Sequence, residues 1–157
     1  MKMQLTVRTY KPETRERVLA AIDRIAKGYA TAAGVPPERA PIVTVSKDQF
    51  CPATYNNPEL TKRLITVWKR SLGDENVKIV DAVMGGEDFS EYSLPDHSIP
   101  AVDFHIGAVE PAKIAEYKQA GKELPTLHSS KFAPVPEPTI RTGVLAMTAA
   151  VLDLMKR

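Results

Sequence analysis

The sequence predicts an α/β (α+β) fold, because stretches of strand-like alternation and stretches of helical periodicity follow one another along the chain. Residues 3–9 alternate, with Met3, Leu5 and Val7 on one side and Gln4, Thr6 and Arg8 on the other. That is the pattern of a strand with one buried face. Val18, Ile22, Ile25 and Tyr29 then recur at i, i+4, i+7 and i+11, a single apolar stripe on a long helix. A second β-rich run follows at residues 42–46. Strand, helix and strand in this order make half of a ferredoxin-like sandwich. Such a half-sandwich has unpaired strand edges, so it is expected to pair with something else.

The element ends carry their own signals. Pro12 suits the first helical position, and Glu13 and Glu16 suit the positive end of the helix dipole. Gly34 and Pro36-Pro37 stop that helix. Pro52-Ala53-Thr54-Tyr55-Asn56-Asn57-Pro58-Glu59-Leu60 reads as a linker ending in a cap, with Asn57 as N-cap and Pro58 at the first helical position. Leu60, Leu64, Val67, Trp68 and Leu72 form the buried stripe of the helix that follows, and Gly73 closes it. A domain boundary is expected between residues 50 and 58. Beyond it the pattern gives a strand at 77–80, a glycine turn, a strand at 101–106, a long loop and a final helix. Ile140, Val144, Leu145, Thr148, Val151, Leu152 and Met155 share one face of that last helix.

Composition narrows the function classes. A hydrophobic content of 43% with 25% charged residues describes a globular chain rather than a disordered or fibrous one. The net charge of +2 comes from scattered basic residues, which argues against nucleic acid or a membrane surface as partner. No apolar run approaches the ~18 residues of a membrane span, and Met1-Lys2-Met3-Gln4 opens no signal peptide. Cys51, the single cysteine, leaves no internal disulfide. The expected compartment is the cytoplasm. There is no internal repeat, no phosphate loop, no dinucleotide glycine pattern and no nucleophile elbow.

Two stretches carry candidate chemistry. Met84-Gly85-Gly86-Glu87-Asp88-Phe89-Ser90 is a glycine turn running into an acidic helix start. Its glycines permit positive φ and close approach to a ligand, and its amides could hold a carboxylate. The plainer alternative is an ordinary β–α turn whose acids satisfy the helix dipole. Leu127-His128-Ser129-Ser130-Lys131-Phe132 places one imidazole on a loop ahead of the last helix, as a metal ligand or as a hydrogen-bonded surface residue. His97 reads as a loop residue and His105 as a half-buried strand residue; neither has metal-ligand spacing with His128. Cys51 has no adjacent base to activate it. Lys47, Asp48 and Arg8 read as solvated strand residues, with Arg8 the one whose fork would suit a substrate carboxylate.

Taken in order, these motifs resemble the closing part of the metal-dependent amidohydrolases, the group of aminoacylases, hippurate and auxin-conjugate hydrolases and related carboxypeptidases. Leu5-Thr6-Val7-Arg8-Thr9-Tyr10 resembles a late strand of that family's lid domain, and residues 52–60 resemble its hinge. Residues 84–90 resemble its Met-Gly-Gly-Glu-Asp-Phe-Ser motif, Ile106-Gly107 with Pro111 its glycine loop, and Leu127-His128-Ser129 its last metal-ligand motif.

The resemblance implies a partial lid or dimerisation domain over 1–50 and the C-terminal part of an α/β zinc-hydrolase domain over 51–157. It implies that His128 binds one of two divalent metals, zinc or manganese, and that Gly85, Gly86 and Glu87 border a substrate cleft, with Arg8 as a further substrate-binding residue. A metal-bridged water would attack the amide of an N-acyl amino acid or small peptide-like substrate, with a glutamate as general base. That glutamate and the other ligands belong to the family's N-terminal half, which this sequence does not contain. No catalytic residue is therefore assigned within it. The chain alone is expected to be inactive and to hold metal weakly, with a second copy or the missing N-terminal half as its partner. The competing expectation is a non-catalytic dimerisation or partner-binding module derived from the same family.

Overall fold

A computed structural model of the chain describes residues 1–46, 50–93 and 96–156. Among them are four α-helices, α1 (Pro12–Ala32), α2 (Pro58–Leu72), α3 (Pro111–Gln119) and α4 (Pro136–Leu154). Short 3-10 turns lie at Pro37–Arg39, Asp74–Asn76 and Asp88–Ser93. Among the described residues there is no strand and no sheet, which corrects the α/β expectation and with it the ferredoxin-like strand–helix–strand and the α/β catalytic layer. The reason is pairing. Alternation decides which face of a strand is buried, but the ladder itself needs a neighbour to take its N–H and C=O groups. Among the described residues, 3–9, 42–46 and 78–83 make no backbone–backbone hydrogen bond, and 101–107 form no strand. Lys47 and Asp48, read from sequence as solvated strand residues, lie outside the described residues.

The chain divides into two compact units. The first comprises Met1–Asn56 with Asp81–Ala101, the second Asn57–Val80 with Val102–Arg157.

In the second unit α2 forms where its caps require it. The Asn57 side chain accepts from the Leu60 amide at 2.9 Å, Pro58 occupies the first turn, and Gly73 ends the helix at φ 92°. Leu64 and Trp68, one turn apart on the expected stripe, are buried. They pack against Ala146 and Ala150 of α4, with Leu60, Leu72, Val77, Val102, Phe104 and Ile106 around them. The Trp68 indole donates to the Ala146 carbonyl at 2.9 Å, and its ring lies 4.5 Å from that of Phe104. Arg63 reaches the far end of α4, donating to the Asp153 carboxylate at 2.8 Å and to its carbonyl at 2.7 Å. Residue 63 meets 153 and residue 68 meets 146, so the two helices run antiparallel.

The face of α4 that packs differs from the one its large residues suggest. Ala146 and Ala150, small and one turn apart, let the helices approach closely, whereas Ile140, Val144, Leu145, Val151, Leu152 and Met155 are exposed. Val102, Phe104 and Ile106 do keep their period of two, packing on the core, while His105 is exposed rather than half buried.

In the first unit α1 starts at Pro12 as expected, yet none of its residues is buried, and Ile25 and Tyr29 of its stripe are exposed. Among the described residues, no helix is long and apolar enough to cross a membrane.

Candidate functional site

The first unit gathers four of the five residues singled out by sequence. Arg8 donates from Nη1 to the Met84 carbonyl at 3.0 Å, which sets its guanidinium over the glycine turn. A Cβ at Gly86 would stand 3.1 Å from that same Nη1, so a larger residue there would crowd the arginine. Neither Gly85 nor Gly86 has a positive φ. The turn needs Gly86 for space, and the conformational freedom expected of the pair is not used. Gly85 meets only the Val83 side chain, at 3.7 Å.

Glu87 precedes the short turn Asp88–Ser93 and works in two ways. Its carboxylate accepts weakly from the Phe89 amide at 3.4 Å, a capping contact. Its carbonyl accepts from the Ser90 hydroxyl at 3.0 Å and from the Cys51 thiol at 2.8 Å. Cys51 Sγ also lies 3.5 Å from Ser90 Oγ, and Ser90 is only 1% exposed. Cys51 and Ser90 thus fix the backbone of the turn from beneath while Arg8 binds its rim. Sequence reasoning set Cys51 aside as unreactive. The signal it lacked was three-dimensional, since nothing in local spacing links residue 51 to residues 87 and 90.

Arg8 is exposed, and its bond to the Met84 carbonyl engages one N–H of a guanidinium that carries five. The other donors can meet a carboxylate in a bidentate fork. The arrangement is a positioned cation on a glycine-rich rim, suited to an anionic group on a small molecule.

Elsewhere in this unit His97 adopts φ 55° and stacks on Tyr55, with ring centroids 4.2 Å apart. Beside it Asp96 accepts from the Ser98 amide at 2.9 Å. Hydrogen bonds from the Ser98 side chain and backbone hold this exposed carboxyl below the usual carboxylate range.

His128 belongs to the second unit. It sits in the turn closed by the Ser129 amide on the Thr126 carbonyl at 3.1 Å, with φ 67°. A non-glycine residue in that region is uncommon, and histidine is one of the few enriched there. The imidazole is exposed, and so is its neighbour Leu127, so apolar packing of Leu127 does not hold the loop. The turn is braced instead by hydrogen bonds, from the Phe132 amide to the Ser129 carbonyl at 3.0 Å and from the Lys131 amide to the Ser129 hydroxyl at 3.2 Å.

The donor set tests the implied metal. Among the described residues, no three of His, Cys, Asp and Glu stand close enough to share an ion. Zinc takes three or four protein donors, so this chain's residues do not by themselves fit a metal centre.

The chain is distantly similar to a hydrolase. It is 28% identical over 134 residues to the "uncharacterized hydrolase y4tI" of Sinorhizobium fredii, a match covering 85% of this chain and 30% of that protein. The chain thus spans less than a third of the length of this relative. No protein-family profile matches the chain. No solved structure matches it either.

Proposed function

We propose that the chain is the substrate-side portion of a metal-dependent amidohydrolase acting on N-acyl amino acids or small peptide-like amides. The observation that carries this reading is the hydrolase similarity over 85% of the chain, and the ordered motifs give it its finer content. Arg8, fixed by its bond to the Met84 carbonyl and given room by Gly86, supplies a fork for the carboxylate of an amino-acid product or substrate. Gly85, Gly86 and Glu87 form the rim against which that substrate lies. His128 contributes one imidazole to a site whose other donors come from polypeptide beyond this chain. The chemical step therefore belongs to the assembled enzyme, and this chain orients the substrate.

The test is reconstitution. The purified chain, mixed with the part of the Sinorhizobium hydrolase outside the matched region, is assayed on hippurate and acetylated amino acids. The chain alone should be inactive, and the mixture should hydrolyse in a chelator-sensitive way. His128→Ala should abolish that turnover. Arg8→Ala should raise KM about tenfold or more with a smaller effect on kcat, since a charge-assisted carboxylate contact contributes on the order of 1.5–3 kcal/mol. Hydrolysis by the chain unaided, or none from the mixture, overturns the reading.

A further inference from the structure

We propose that the open cleft between α2 and the end of α4 binds a small linear dianion, in its simplest form a dicarboxylate. The cleft has a volume of about 380 Å³, within the roughly 300–1,000 Å³ of small-molecule sites, and lies wholly in the second unit. Arg63, Thr66, Val67 and Arg70 supply one side, and Asp153 and Lys156 the other. Positions 63, 66, 67 and 70 recur at i, i+3, i+4 and i+7, so one face of α2 carries all four. Three cations against one carboxylate leave two positive charges in excess. The basic residues are scattered along the sequence, and the antiparallel α2–α4 pair gathers these three.

The three cations are not equivalent. Arg63 is committed to α4, donating to the Asp153 carboxylate at 2.8 Å and to its carbonyl at 2.7 Å, where a cation suits the negative end of the helix dipole. Lys156 is exposed and stands 3.9 Å from the same carboxylate, the outer limit of an ion pair. Asp153 thus answers one of these two charges and leaves one in excess at the α4 end. Arg70 is exposed and makes no hydrogen bond or ion pair among the described residues. It stands two turns from Arg63, about 10 Å along the axis, so capping of α4 does not account for it. Between the two charged ends the floor is uncharged. Val67 is half-buried, and the Thr66 hydroxyl donates to the Lys62 carbonyl of its own helix at 3.1 Å. A ligand that answers both ends therefore carries two singly charged groups joined by an uncharged stem. The guanidinium fork of Arg70 matches a carboxylate.

The probe is suberate, an unbranched dicarboxylate whose extended chain spans that distance, titrated into the full chain at constant ionic strength and followed by amide resonances. Succinate is too short, octanoate has the length with one charge, and inorganic phosphate can meet only one end. Suberate should bind about threefold to fivefold more tightly than succinate or octanoate, the worth of one further exposed ion pair. It should shift Thr66, Val67 and Arg70 together with Lys156. Arg70→Gln, at an exposed position outside the α2–α4 core, should reduce suberate to the level of octanoate, and Arg70→Lys should keep most of the difference. Lys156→Gln removes the charge at the other end and should cost suberate a similar factor, with circular dichroism checking the helices of each variant. Suberate binding no tighter than succinate or octanoate, or indifferent to Arg70→Gln and Lys156→Gln, overturns the proposal. Phosphate binding more tightly than suberate overturns it in favour of a site for a single anion.

Discussion

The two units are held by different physics. In the second, the α2–α4 pair buries Leu64 and Trp68 against Ala146 and Ala150, and the Arg63–Asp153 contact ties the far end. In the first, the buried residues among those described are Ser90, Ser93 and Ala101, and the ties are polar or ring contacts near the surface. Arg8 binds the Met84 carbonyl, Cys51 the Glu87 carbonyl, Arg15 lies over the Phe50 ring at 4.2 Å, and Tyr55 stacks on His97. Apolar burial contributes in proportion to area, whereas a solvent-exposed hydrogen bond exchanges one partner for water at little net gain. The second unit therefore has a stability of its own to lose. The first has a geometry, which a ligand or partner can consolidate.

The largest expected effect breaks the second unit. Trp68→Ala removes an indole only 6% exposed, along with its hydrogen bond to α4 and its contact with Phe104. Large-to-small changes of this kind cost about 3–5 kcal/mol. In a core of this size that should abolish cooperative unfolding of α2 and α4, read by thermal denaturation followed by circular dichroism. The arginine-bearing glycine turn should keep its exchange rates, since its contacts with Arg8, Cys51 and Ser90 belong to the first unit and Trp68 to the second. A melt within a few degrees of the parent would show that the α2–α4 core does not govern the stability of its unit.

What was legible in the sequence divides along the same line. Caps and stripes act locally, so Asn57, Pro58, Leu64, Trp68 and Gly73 announced α2, and Pro12 announced α1. Alternation at 3–9 and 101–106 was just as clear, but a strand is a relation between two segments, and none of the described residues supplies the second. On α4 the large residues drew attention to one face, while the contact is made by the small ones, because close approach of two helices favours alanine where they cross. In the candidate site, Arg8 and the glycine turn were visible as separate motifs. Their meeting, and the bracing by Cys51 and Ser90, depends on contacts 76, 36 and 39 residues apart along the chain, which no local pattern encodes.

A smaller effect sharpens the comparison at the boundary of α2. Asn57→Ala deletes the acceptor for the Leu60 amide and leaves Pro58 and the apolar stripe in place. Loss of an N-cap costs about 1 kcal/mol. The melting temperature should fall by several degrees while the unfolding transition stays cooperative. Asn57→Asp should retain most of the stability, because its carboxylate accepts the same bond and also suits the helix dipole. If Asn57→Ala matched Trp68→Ala in severity, capping rather than core packing would dominate the second unit.

The smallest effect on stability is expected at Gly86, where the first unit's geometry is concentrated. Gly86→Ala places a Cβ 3.1 Å from Arg8 Nη1. Because Arg8 is exposed and flexible, the guanidinium can swing away at a cost of no more than a few tenths of a kcal/mol, within the range of surface substitutions. Gly86 does not occupy positive φ, so no backbone strain is added. The melting temperature should therefore hardly move. The position of Arg8 should move: its Nε–H and Nη–H resonances should lose the signature of the Met84 carbonyl bond, and acetate or benzoate should perturb them less than in the parent. Gly85→Ala is the matched control, since its Cβ meets only the Val83 side chain at 3.7 Å. Equal responses from Gly85→Ala and Gly86→Ala would mean that the arginine is not held by the turn, and that the rim carries no prepared site for an anion.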